Sequence, residues 1–256
     1  MEGLLAATRR AEATHFWFRG LRRFARPLVA HAVAGIDRPV IIDCGSGTGA
    51  NLRWLAEFGQ AMGFDRSEAG PAPAGGGRVP AVLRADVSAV PLRDECADLV
   101  TSFDVLYALD DTKEHRAVEE MWRLLRPGGM ALVNVAALDM LRGPHSILSH
   151  EVRRYTRRRL RGLIEGAGFT IVRLTYTNAS IFPLVALRRL TQRLRPAADD
   201  APLDEDITVP AAPINALLSG SLAVEAHLMR WFDMPLGSSL LCLARKDASG
   251  SRGARS

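Results

Sequence analysis

Apolar residues in the first half of the chain fall into short uninterrupted runs separated by stretches with helical spacing. Runs at 39–43, 61–65, 81–86, 97–102 and 130–135 are five or six residues long. Runs of that length, bounded by Gly, Pro or an acid, read as buried strands. Between them, 48–58 carries Leu52, Leu55 and Phe58 at helical spacing, and 113–125 carries Val118, Met121, Trp122 and Leu125. The second of these stops at Arg126-Pro127-Gly128-Gly129, a helix terminator. Ahead of the first strand, Phe16, Trp17, Phe24, Leu28 and Val33 predict a helix over 15–33, and the Pro/Gly-rich 70–77 is loop. After the fifth strand come an irregular insert (136–155) and a helix over 156–167, with Thr156 as N-cap and Gly168 at its C-terminal stop. A sixth strand (169–176), an apolar-then-basic helix (181–194), an acidic linker (199–206), a helical stretch (214–231) and a last strand (236–244) complete the pattern. The residues from 249 are expected to fray.

Strands alternating with helices predict an α/β chain with a doubly wound, mostly parallel seven-stranded sheet, an N-terminal helix and a helical cap or insert. One domain over 1–256 is expected. It comprises an N-terminal helical segment (1–36), a ligand-binding core (37–136), the insert, helices and cap (137–235), and a last strand with a frayed tail (236–256). Ligands of such sheets bind beyond the carboxyl ends of the strands. Three of those ends carry an acid: Asp43, Asp65 and Asp86.

The chain has 256 residues, 48% of them apolar, enough for a large core. Its formal charge of +5 conceals an asymmetry. Six Arg and one Glu lie between 9 and 26, and twelve Arg and two acids between 142 and 195. Residues 27–141 run the other way, with ten bases against sixteen acids. Of the 33 bases, 31 are arginine. Cys44, Cys96 and Cys242 have no paired spacing, so neither a disulfide framework nor a metal site is expected. Residues 1–13 lack the apolar run of a signal peptide, and no stretch reads as a membrane-spanning helix. A cytoplasmic protein is expected.

The chemistry concentrates in Asp43-Cys44-Gly45-Ser46-Gly47-Thr48-Gly49, between the first strand and its helix. Glycines there permit a tight turn and close approach of a ligand to backbone. The spacing is G-x-G-x-G, and no Gly-Lys-Ser/Thr follows, which excludes a phosphate-cradling P-loop. An acid opening the loop suits a ligand bearing an amino or sulfonium group better than a pyrophosphate. Asp65 is placed to accept ribose hydroxyls.

With these residues the chain resembles the class I S-adenosylmethionine-dependent methyltransferases, which have a Rossmann-like sheet. The resemblance runs from about 40 to 135 through five blocks in order. They are Ile41 to Gly49, Gly63-Phe64-Asp65, Arg84-Ala85-Asp86-Val87, Asp98 to Val105, and Arg126-Pro127-Gly128-Gly129-Met130. It implies that S-adenosyl-L-methionine is the cofactor. Asp43, Gly45, Gly47 and Gly49 would bound the methionine portion, and Asp65 with its neighbour Arg66 would lie at the ribose. Asp86 would take the adenine amino group and Val87 the ring edge, and Phe103 would offer backbone to the methionine amine. One departure matters: relatives often read D-V-L-E-H where this chain has Asp104-Val105-Leu106-Tyr107-Ala108, so any base must come from elsewhere.

The flanks resemble a narrower bacterial subgroup of the methyltransferase type 11 kind. His15-Phe16-Trp17-Phe18-Arg19 is similar to its H-W-W-F-x-x-R segment, and 150–156 to its H-x-R-R-Y-T stretch. That subgroup is associated with cell-surface polysaccharide or lipid-linked sugars, so a small-molecule or lipid-linked sugar acceptor and O-methylation are expected. A hydroxyl acceptor benefits from a base near neutrality. His150 is the first candidate and His145 the second, against the plainer reading of structural or exposed loop histidines. Arg19, Arg153 and Arg154 are candidates to clamp an anionic acceptor, with Tyr155 beside them. Trp17 and Phe18 are candidates for the acceptor wall. Solvated arginines and core aromatics are the simpler alternatives.

The segment 181–195 has two readings, a cap over the site (favoured) or an interfacial helix at the inner membrane face. Three other functions compete with this reading. An oxidoreductase meets the wrong glycine spacing and has no Tyr-x-x-x-Lys. A nucleic-acid methyltransferase, suggested by the basic stretch, lacks N/D-P-P-Y/F and Pro-Cys motifs, and no nucleic acid is expected. The third is a binding protein that keeps the fold without catalysis.

Overall fold

The computed structural model describes residues 8–67, 81–141, 151–194 and 209–247. The short apolar runs become strands β1 (Val40–Cys44), β2 (Gln60–Asp65), β3 (Ala81–Arg84), β4 (Ala97–Phe103) and β5 (Leu125–Ala136). β6 (Phe169–Thr177) and β7 (Ser239–Lys246) complete one seven-stranded sheet in the order β3-β2-β1-β4-β5-β7-β6. β1 to β5 pair in parallel, and β7 runs antiparallel to both β5 and β6. From β1 the chain steps outward to β2 and β3, then crosses back to β4 on the other side of β1. That reversal opens a crevice at the carboxyl ends of β1 and β4.

The helices are α1 (Phe16–Ala32), α2 (Ala50–Leu55), α3 (Asp111–Leu124), α4 (Arg157–Gly166), α5 (Phe182–Leu194) and α6 (Ala212–Leu228). Strand alternation sorts the core into two layers. Ile42, Cys44, Val100 and Val133 pack with Val118 and Met121 of α3 and with Leu160 and Ile164 of α4. Ile41, Leu99, Leu132, Leu241 and Leu243 pack with Phe24 and Leu28 of α1 and with Leu222 of α6.

Local signals account for the ends. The Thr156 hydroxyl accepts from Arg159 N at 3.2 Å, and Gly168 follows α4 at φ +97°. Asp110 caps α3 through Lys113 N at 2.9 Å, starting it two residues before the expected 113. The terminator Arg126-Pro127-Gly128-Gly129 does stop α3, but the chain is already extended there. β5 begins at Leu125 rather than Met130, and the extra residues form a bulge, since Ala97 pairs Leu125 while Leu99 pairs Met130. β7 begins at Ser239 rather than 236. Among the described residues no helix is long and apolar enough to cross a membrane.

Candidate active site

Gly45, Gly47 and Gly49 all adopt positive φ (+78°, +49° and +76°), and the loop they shape is held against β2. Gly45 N and Ser46 N each donate to Phe64 O at 2.9 Å. Gly47 N donates to Asp65 Oδ2 at 2.8 Å. A Cβ on Gly45 would lie 2.4 Å from Val105 Cγ2, so the loop is pressed against the residues that follow β4. The N-terminal segment also seats on it: Thr48 Oγ1 donates to Glu12 Oε2 at 2.5 Å. Burial raises the Glu12 carboxyl above its ordinary value.

Asp43 is the buried acid of this edge. Thr101 Oγ1, one strand over, donates to its Oδ1 at 2.6 Å, while its Oδ2 is buried without a partner. Desolvation, reinforced by the nearby Asp65 charge, raises its carboxyl to about 7. Asp65 differs: its Oδ1 accepts from Ser67 N and Oγ at 2.8 and 2.7 Å, and its Oδ2 from the glycine loop, which partly occupies the carboxylate read as the ribose acceptor. Arg66 is exposed beside it. Asp86 closes a turn onto Ser88 N and Oγ at 2.9 and 2.7 Å. Those bonds, the backbone one foremost, hold it below the usual carboxylate value, with Lys113 3.9 Å away. The Val87 and Phe103 side chains are buried in the core, Phe103 against Trp54, so backbone is what they present to the crevice.

Sequence reasoning assigned no role to Asp104, Thr101 or Asn134. Asp104 follows β4 at φ +60°, and Asn134 Nδ2 of β5 donates to its Oδ1 at 2.9 Å. Burial raises the Asp104 carboxyl to about 7, with Arg154 and Glu151 facing it. The insert returns over this edge: Val152 N donates to Tyr107 O at 2.9 Å and Tyr155 N to Ala136 O at 2.9 Å.

The structure separates the acceptor candidates. Tyr155 is fully buried and donates through its hydroxyl to Glu114, so it does not face an acceptor. Arg153 ends on the same buried Glu114 carboxylate, 2.6 Å from Oε2, and on Asp111, which removes it as a clamp. Arg159 joins them at 2.8 Å. Arg154 pairs with Glu151 at 2.6 Å at the carboxyl edge. Arg19 is half-buried on α1, and among the described residues nothing pairs with its guanidinium. Trp17 packs beside the α1 core layer, and Phe18 against Ala11. His145 and His150 lie outside the described residues. Cys44 and Cys242 are buried thiols, held protonated by desolvation and unsuited as nucleophiles. No cluster of three or more His, Cys, Asp or Glu suited to a metal occurs among the described residues.

A glycine loop at a topological switch point, acids at or just past the ends of three strands, and a buried carboxylate oxygen without a partner among the described residues lie at this edge of the sheet. The family model described as a methyltransferase domain matches residues 42–133, the span from β1 into β5. The fold, the site and that match mark residues 42–133 as an S-adenosylmethionine-dependent methyltransferase domain.

Among solved structures, the chain is similar to one in the complex between the Haloferax volcanii Trm112 methyltransferase activator and a methyltransferase. The TM-score is 0.59 at 19% identity, over 96% of this chain and 95% of that one. A Mesorhizobium loti S-adenosylmethionine-dependent methyltransferase matches at TM-score 0.54 and 18% identity, over 86% and 97%. The 1,6-didemethyltoxoflavin-N1-methyltransferase of Burkholderia thailandensis matches at TM-score 0.51 and 19% identity, over 87% and 77%. No curated protein matches the chain.

Proposed function

We propose that this methyltransferase acts on a hydroxyl of a small-molecule or lipid-linked sugar acceptor. The observation that carries the donor half is Asp43, a buried carboxyl with one unpartnered oxygen at the switch point. A cation arriving at the glycine loop compensates the cost of ionising it. Gly45, Gly47 and Gly49 would follow the methionine portion, Asp65 and Arg66 the ribose, Asp86 and Val87 the adenine, and Phe103 backbone the amine. Bound S-adenosylmethionine supplies an electrophilic methyl group. The chain's own task is then to align the acceptor oxygen and take its proton.

The acceptor half rests on the edge beyond β4 and β5, where Asp104, Asn134, Glu151 and Arg154 gather. We assign the base to His150, next to Glu151 in sequence, with His145 second. Arg19, Trp17 and Phe18 remain acceptor-side candidates. The small acceptor of the Burkholderia neighbour supports a small-molecule reading. The arginine-rich stretch does not argue for nucleic acid. Besides Arg153, Arg154 and Arg159, Arg161 bonds Glu165 at 2.9 Å, Arg173 bonds Asp233 at 2.8 Å, and Arg157 donates to Met234 O at 3.2 Å.

Calorimetric titration with S-adenosylhomocysteine tests the donor half, and absence of binding ends the methyltransferase reading. A labelled-donor screen over cell extracts and lipid fractions identifies the acceptor. His150→Ala is expected to lower turnover at least ~100-fold with donor binding intact. A near-normal rate removes His150 as the base.

A further inference from the structure

α6 is mounted with its polarity reversed. Its inner positions are Asn215, Ser219, Leu222 and Glu225, three of them polar and all buried. Ile214, Leu217, Val224 and Leu228 face outward, Leu217 at 74% exposed, and the chain past the helix adds Trp231 at 62% and Phe232 at 64%. Directed bonds lock this rotation. Asn215 accepts from Phe16 N and donates to Thr14 O, both at 2.9 Å. Arg23 Nη1 donates to Ser219 O at 2.6 Å. The Glu225 carboxylate accepts from Ala179 N and Ser180 N at 2.9 and 2.8 Å, just ahead of α5. Turning the apolar stripe inward would strand the Asn215 amide and the Glu225 carboxylate, at a cost no exposed leucine recovers.

We infer that this outward face of α6, with Trp231 and Phe232, docks on an anionic lipid surface. Three features select lipid over a second copy of the chain. First, a paired-helix seam is flanked by charged positions that set register. The positions flanking this stripe are Ala212, Pro213, Ala216, Gly220 and His227, and no exposed position of α6 carries a carboxylate. Second, the stripe ends in exposed Arg230 beside Trp231 and Phe232, a cation with two aromatics, the grouping that anchors at a bilayer interface. Third, exposed apolar side chains also occur on a separate element, at Leu184 and Leu187 of α5. A fluid surface accepts apolar groups spread over two helices.

The inference goes with a lipid-linked acceptor but fails separately from it, because donor binding is read independently. The experiment is co-sedimentation of the full chain with phosphatidylcholine vesicles, with and without about 30% of the anionic lipid phosphatidylglycerol, at low and high salt. The double variant L217E/V224E and the variant W231A/F232A are run beside it. S-adenosylhomocysteine titration confirms that each is folded, and sedimentation equilibrium reports association state. Binding of the parent chain to the anionic vesicles, weakened by salt, is expected, with at least a ~10-fold loss of partitioning in both variants. Three outcomes overturn the proposal: no binding of the parent chain at low salt, unaltered binding by both variants, or a parent dimer that L217E/V224E converts to monomer.

Discussion

Two buried carboxylates, one on each side of the switch point, do opposite work. Glu114 of α3 is saturated: Tyr155 OH, Arg153 and Arg159 all end on it, and they bring the returning insert and α4 onto α3. Asp43 of β1 is left short: one hydroxyl reaches it, its other oxygen has no partner, and its carboxyl rises to about 7. A buried acid whose donors all come from its own chain holds structure. One whose donors are missing at the mouth of a crevice awaits a ligand. The comparison also divides the arginines, since those expected to clamp an acceptor are largely spent inside the fold.

The contrast can be broken most forcefully at Glu114. Glu114→Gln leaves Arg153 and Arg159 facing a neutral amide in a buried site, and a loss of about 3–5 kcal/mol is expected by equilibrium denaturation. A loss below about 1 kcal/mol would remove the structural assignment. Asp43→Asn should do the reverse, sparing stability while weakening the donor at least ~100-fold in calorimetry, the scale of a lost charge-assisted contact. Retained affinity would make Asp43 a bystander.

A pH series sharpens the same point. With its carboxyl near 7, Asp43 goes from mostly protonated at pH 6 to mostly ionised at pH 8. Affinity for S-adenosylmethionine should therefore rise roughly tenfold over that interval, and in the Asp43→Asn variant should not. Stability moves the other way. Between the ordinary value of 3.8 and about 7 the folded chain keeps protons on Asp43 and Asp104 that the unfolded chain has lost. Stability thus falls as pH rises through that window. The smallest effect belongs to Arg161→Ala, which breaks an exposed pair with Glu165 on the same arginine-rich stretch. A change of about 0.3–0.5 kcal/mol is expected, and one as large as that at Glu114 would mean the surface arginines are not the solvated pairs described.

The strand runs, the helix caps at Thr156 and Gly168, and the strand-end acids were legible because each depends on near neighbours in the chain. Glu114 was missed although a signal existed. It precedes Ala117, Val118 and Met121 by three, four and seven residues, which puts it on the apolar face of its helix. The outward face of α6 had no such signal, since Ile214, Leu217, Leu218, Leu222, Val224 and Leu228 surround the helix with apolar residues. Only the hydrogen bonds of the Asn215 and Glu225 side chains to distant segments choose which side turns in.

The sequence by itself determined the alternation of elements, the glycine loop and the acids at or just past the ends of β1, β2 and β3, because period, turn chemistry and strand ends are local properties. It also showed two arginine-rich segments. The tertiary structure decided what those charges meet, because the partners of Arg153 and Arg159 lie about 40 residues earlier in the chain, as the separations of 39 and 45 to Glu114 record. Pairing at that range is set by packing of α3, α4 and the insert, which no local pattern encodes.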